Sequence, residues 1–93
     1  MEILLKEYES KGSATAQDND IRVGAMTYSI AGPELIIIDS THVEPAYNGK
    51  GVGQQMLYKI VEMAREKNIK IIPLCPFAAS MFKKLDDIRD VLK

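Results

Sequence analysis

Apolar and polar positions change period along the chain, and the changes divide it into elements. From Gly12 to Gln17, Ala14 and Ala16 alternate with Ser13, Thr15 and Gln17, the period-two pattern of a half-buried strand. Asp18-Asn19-Asp20 supplies hairpin-turn chemistry. Ile21–Ile30 alternates again, with Met26, Tyr28 and Ile30 on one face and Ala25, Thr27 and Ser29 on the other. Ala31-Gly32-Pro33-Glu34 predicts a second turn. Leu35–Ile38 is continuously apolar, which suits a central strand covered on both faces. Together these segments predict three antiparallel strands. Ahead of them, Ile3, Leu4, Leu5 and Tyr8 fit either one helical turn or an edge strand.

Past Pro45 the period lengthens. Val52, Met56, Ile60 and Ala64 recur every four residues, and Leu57 and Val61 widen the stripe to that of a core-facing helix. Asn68 is placed to close this helix. Ile69–Leu74 is a second buried strand, joined to Leu35–His42 by a right-handed crossover and therefore parallel to it. Pro76–Leu85 predicts a short helix with Phe77, Met81 and Leu85 inward. Asp86–Lys93 carries Ile88, Val91 and Leu92, enough to dock one more turn or short strand. The expected fold is a single α/β (α+β) domain over residues 1–93, with a mixed sheet of about five strands.

Composition narrows the function classes. A net charge of −1 offers no basic field for nucleic acid, and no stretch is long and apolar enough to span a membrane. Glu2 and Lys6-Glu7 break any signal-peptide pattern, and a single cysteine excludes an internal disulfide and cysteine-type zinc clusters, so no metal is expected. Cytoplasm is the expected location.

The candidate chemistry lies where strand passes into helix. Gly49, Gly51 and Gly53 precede and open the helix, so free backbone N–H groups and the positive end of a helix dipole face whatever sits over the turn. A phosphate or pyrophosphate is the usual occupant; a tight turn with no ligand is the architectural alternative. The spacing G-x-G-x-G is neither a Walker A loop nor the Rossmann G-x-G-x-x-G.

Val43-Glu44-Pro45-Ala46-Tyr47-Asn48-Gly49-Lys50-Gly51-Val52-Gly53 resembles the acetyl-CoA motif of the GNAT acetyltransferase superfamily, V-x-P-x-x-R-G-x-G-[IV]-G/A. Ile71-Ile72-Pro73-Leu74-Cys75-Pro76-Phe77-Ala78 resembles the P-x-C-P-F segment of its short stand-alone subgroup of about a hundred residues. The resemblance covers roughly residues 21 to 92. It implies an N-acetyltransferase that takes acetyl-CoA as cosubstrate and a primary amine, small-molecule or peptide, as acceptor. A non-catalytic acetyl-CoA or CoA-binding module is the alternative, and a ligand-free interaction domain is a third. Full-length members carry two further helices near the N-terminus, for which there is no room between Gly12 and Ile30. The acceptor side is then open or is completed by a partner subunit, so a homodimer is one expectation.

The resemblance assigns cofactor binding to Val43, Asn48, Gly49, Lys50, Gly51, Val52, Gly53, Cys75, Pro76 and Phe77. Asn48 stands where the family has Arg or Gln, so Lys50 is the nearest replacement cation, unless it is a solvated loop lysine. Cys75 is a candidate proton donor to the leaving thiolate, an acetyl acceptor, or a small buried hydrophobe. His42 is a candidate general base, although the subgroup's histidine position is occupied by Ser40; an exposed strand-end residue is the other reading. Glu44 and Asp39 are rival bases. The tyrosine many members place in the last helix is Phe82 here.

Overall fold

The computed structural model describes residues 1–93. One sheet holds five strands in sequence order: β1 (Glu2–Tyr8), β2 (Lys11–Asp18), β3 (Ile21–Gly32), β4 (Leu35–Val43) and β5 (Lys70–Pro73). The N-terminal segment is thus the edge strand rather than the helical turn, and the antiparallel set has four strands, not three. The turn between β2 and β3 places Asn19 and Asp20 at φ 52 and 68, the left-handed pair that a two-residue hairpin loop needs. Helix α1 (Val52–Lys67) carries the chain across to β5, which runs parallel to β4.

The four-residue repeat of α1 is its buried stripe: Val52, Met56, Leu57, Ile60, Val61 and Ala64 all pack inward. Each of the larger side chains contributes about 1.5–3 kcal/mol by leaving water. The helix stops at Asn68, whose φ of 57 and ψ of 46 let its N–H reach back to the carbonyls of Ala64 and Arg65. Helix α2 (Pro76–Lys84) starts at a proline in its first turn and buries Ala78 and Phe82, with Phe77, Met81 and Leu85 partly covered at its flanks. A final 3-10 segment, Asp86–Val91, plugs Ile88 and Val91 into the same core.

α1, α2 and the final 3-10 segment all contribute to one cluster, which fixes the layering. Ile36 and Ile38 of β4 belong to that cluster, whereas Leu35 and Ile37 neither belong to it nor pack against it. The expectation that Leu35–Ile38 is covered on both faces is therefore corrected: α1 lies over one face and the other is bare. No helix is long and apolar enough to cross a membrane.

Candidate functional site

β4 and β5 run side by side only from Leu35↔Lys70 to Ile38↔Pro73. The Ile38 carbonyl accepts from both Leu74 N–H (3.0 Å) and Cys75 N–H (3.1 Å), and there the strands part. β4 continues to Val43 with no neighbour on that side. Parting is enforced by Pro76, which cannot donate to a ladder and opens α2 instead.

A cleft of about 360 Å³ lies along this free stretch. Thr41 and Val43 form one wall, Phe77 and Met81 of α2 another, and the glycine turn with the first turn of α1 makes the floor. Gly49 and Gly51 both adopt φ 78, the left-handed conformation that favours glycine, and nothing stands over either position. No side chain caps α1. The N–H groups of Gly49, Gly51, Val52, Gly53 and Gln54 consequently have no backbone acceptor within the chain. Gly53 serves a different end: a Cβ there would lie 2.4 Å from Cζ of Phe77, so the glycine lets α1 and α2 converge at the cleft.

Of the residues singled out in the sequence, Val43, Asn48, Gly49, Gly51, Val52, Gly53 and Phe77 line this cleft. Lys50 lies outside its lining, with Nζ 5.4 Å from the centre of the Tyr47 ring. Cys75 sits beneath the cleft, 5% exposed, as N-cap of α2; its Sγ accepts from Ala78 N–H (3.4 Å) and lies 3.2 Å from Thr41 Oγ1. Pro76 is exposed at the first turn of α2. His42 points the other way. It alternates with Thr41 on β4, stands exposed on the bare face, and places Nε2 2.9 Å from Glu44 Oε2. Ser40 shares that face and bonds Thr27 at 2.6 Å, while Asp39 accepts from Ser29 at 2.6 Å. Phe82 is in the core.

Thr41, Tyr47, Gln54 and Met81 line the cleft without having been singled out. Tyr47 is the one phenol there. Its hydroxyl donates to Asp18 (2.8 Å), and that bond, with burial and the carboxylate's charge, raises its pKa, so this phenol keeps its proton.

Residues 12–91 match the model of a family described as GCN5-related N-acetyl-transferase. Among solved structures, a GCN5-like protein from Staphylococcus aureus is 37% identical, over 97% of this chain and 87% of that one, with a TM-score of 0.73. A ribosomal-protein-alanine N-acetyltransferase from Brucella melitensis biovar Abortus 2308 shares the fold at 15% identity, over 84% of this chain and 62% of that one (TM-score 0.72). A GNAT family acetyltransferase from Elizabethkingia anophelis, solved with acetyl-CoA bound, is similar at 22% identity over 69% of this chain and 42% of that one (TM-score 0.62). No curated protein sequence matches.

Proposed function

The chain belongs to the GCN5-related N-acetyltransferase family, and from that premise we propose that it is an acetyl-CoA-dependent enzyme that acetylates a primary amine. The observation that carries the proposal is the row of unpaired N–H groups at Gly49 and Gly51–Gln54, set at the start of α1 and open to the cleft. Such groups are what a pyrophosphate needs. Asn48 adds an amide donor, and Val43, Val52, Phe77 and Met81 supply apolar walls for a flexible thiol-bearing arm. When bound, the donor supplies a thioester carbonyl; the amine nitrogen forms the new C–N bond as the C–S bond breaks.

The chain's own residues then handle two protons. On the bare face, His42 is the candidate to take the proton from the amine, its Nε2 oriented by Glu44 so that Nδ1 is left free. Cys75 is the candidate to return one to the departing thiolate, through or beside Thr41. Its burial favours that role over attack on the acetyl carbon, and so favours direct transfer. A lone unpaired cysteine also suits a reducing compartment, so the proposal places the reaction in the cytoplasm.

The second reading, a CoA-binding module with little turnover, is favoured by one observation: the α2 position where a phenol would protonate the thiolate is Phe82, closed into the core. Titration calorimetry with acetyl-CoA tests both, using Gln54→Glu as control. A carboxylate in the first turn of α1 favours the helix but opposes a pyrophosphate at the same N–H groups. Expected are an affinity loss of about tenfold or more and an unchanged or raised melting temperature. No binding by the folded parent at two temperatures would overturn the proposal. Binding with no release of free CoA thiol over a panel of small and peptide amines would move it to the second reading. Cys75→Ala should slow turnover more than Cys75→Ser, and leave binding near that of the parent.

A further inference from the structure

The two edges of the sheet are finished differently. Beyond β5 the chain covers its own edge: Leu92 bridges Ile71 in parallel, and Lys93 N–H donates to the Ile71 carbonyl at 2.9 Å. β1, the other edge, pairs with β2 and with nothing else. The two-residue turn Glu9–Ser10 makes Tyr8↔Lys11 the closing pair of its hairpin. Alternation from that pair turns the backbone groups of Glu2, Leu4, Lys6 and Tyr8 towards β2. Those of Ile3, Leu5 and Glu7 point outward.

Edge strands are ordinarily protected by charges placed against a pairing partner. Here the charges do the opposite, because Glu2-Ile3-Leu4-Leu5-Lys6 is complementary to itself when reversed. We propose that β1 pairs antiparallel with β1 of a second copy about a twofold axis at Leu4, continuing the five-stranded sheet of each protomer into the other. Ile3 then exchanges both outward hydrogen bonds with the partner's Leu5, and Leu5 with the partner's Ile3. Leu4 meets its own copy. Glu2 faces the partner's Lys6, and Lys6 the partner's Glu2, on the bare face of the sheet.

Neighbouring registers lack this match. An axis at Leu5 sets Leu4 against lysine and Ile3 against glutamate; an axis at Ile3 sets Leu4 against glutamate. On the helix face, a groove of about 740 Å³ runs beside the same edge, lined by Ile3 and by Gln55, Lys59 and Glu62 of α1. A twofold axis perpendicular to the sheet brings the second α1 across that groove, mixed charge against mixed charge. Within the sheet, β2 and β3 separate the seam from β4 and β5; the groove also touches Gly51 and Gln54 of the cleft, so the pairing is tested by mass and not by activity.

Sedimentation equilibrium of the full chain over a wide concentration range tests the inference, with mass rather than activity as readout. Expected for the parent is a concentration-dependent dimer. Glu2→Lys and Lys6→Glu each set like charges opposite one another twice per dimer and should each raise the dissociation constant by about tenfold. The double reversal, Glu2→Lys with Lys6→Glu, should restore association to near the parent value, which also shows that the single variants had not lost the fold. A parent that stays monomeric throughout, or a dimer indifferent to both single reversals, would overturn the proposal.

Discussion

At Gly53 an added methyl group would sit 2.4 Å from Cζ and 2.8 Å from Cε2 of Phe77, well inside carbon–carbon contact. Gly53→Ala must push the ring aside, at a cost of about 1–3 kcal/mol, and narrow the cleft that the ring walls. Phe77→Leu shortens the obstacle. In that background the same substitution should cost less, a coupling that a double-mutant cycle in urea reads directly. At Gly51 the cost arises from φ 78 alone, about 1–2 kcal/mol, and should show no coupling to Phe77. The three glycines were legible in the sequence as a strand-to-helix turn. Their separate duties were not, because the duty of Gly53 is set by where α2 docks, a contact between residues far apart in the chain. Cys75 is the same case: its position at the strand end was readable, but its bond to Thr41 depends on β4 and α2 converging.

Among elements, β4 shows most clearly where a simple alternation breaks. Pairing jumps from Tyr28↔Ile38 to Thr27↔Ser40 and leaves Asp39 as a bulge, so the phase of the strand shifts by one residue. Strict alternation would carry Ile36 and Ile38 on to Ser40 and His42. The bulge brings Thr41 and Val43 to the helix face instead, which is why Thr41 was not singled out. Between Ala25 and Ser29 alternation holds: Met26 and Tyr28 of β3 are buried and Ala25, Thr27 and Ser29 are not, as their pattern indicates. Tyr28 needs help to fit. Its ring occupies the space over Gly12, where a Cβ would lie 2.3 Å from Cζ, and its hydroxyl donates to Glu7 at 2.7 Å. Burial first, then that bond, raises its pKa, so its contribution is fully present below the ordinary tyrosine value and is lost as the pH rises from there through the raised one. The 3-10 segment at the end of the chain is tied to α1 by Asp90, which accepts from Arg65 Nε (2.9 Å) and Nη2 (2.8 Å). Hydrogen bonding to that guanidinium, and its charge, hold the Asp90 carboxyl below its ordinary value. A depressed carboxylate stabilises above the unfolded value of 3.8 and loses that contribution as the pH falls through the folded one. Asp90→Asn should therefore be less stable than the parent at neutral pH, and the gap should close in acid, measured by thermal melts across the range.

On the scale of the whole molecule, a single helical layer on one sheet face leaves the core thin. A chain of this length has on the order of 5–14 kcal/mol of stability, and the C-terminal segment holds a sizeable part of it through Ile88, 0% exposed. The sequence showed that this tail could dock but not as what, since a 3-10 turn carries too few residues for a period. Cys75, unpaired and 5% exposed, gives a clock for its opening. A thiol reagent reaches Sγ only when α2 moves off β4. α2 and the C-terminal segment share one core, so the opening that frees Sγ should also pull out Ile88. Ile88→Ala, at about 2–5 kcal/mol, should then speed labelling about 30-fold or more under native conditions. An exposed position away from both, such as Ile21→Ala, should change the rate far less. An Ile88→Ala rate equal to the parent's would mean that α2 lifts by itself, leaving the C-terminal segment in place, and the thin core would have two opening units rather than one.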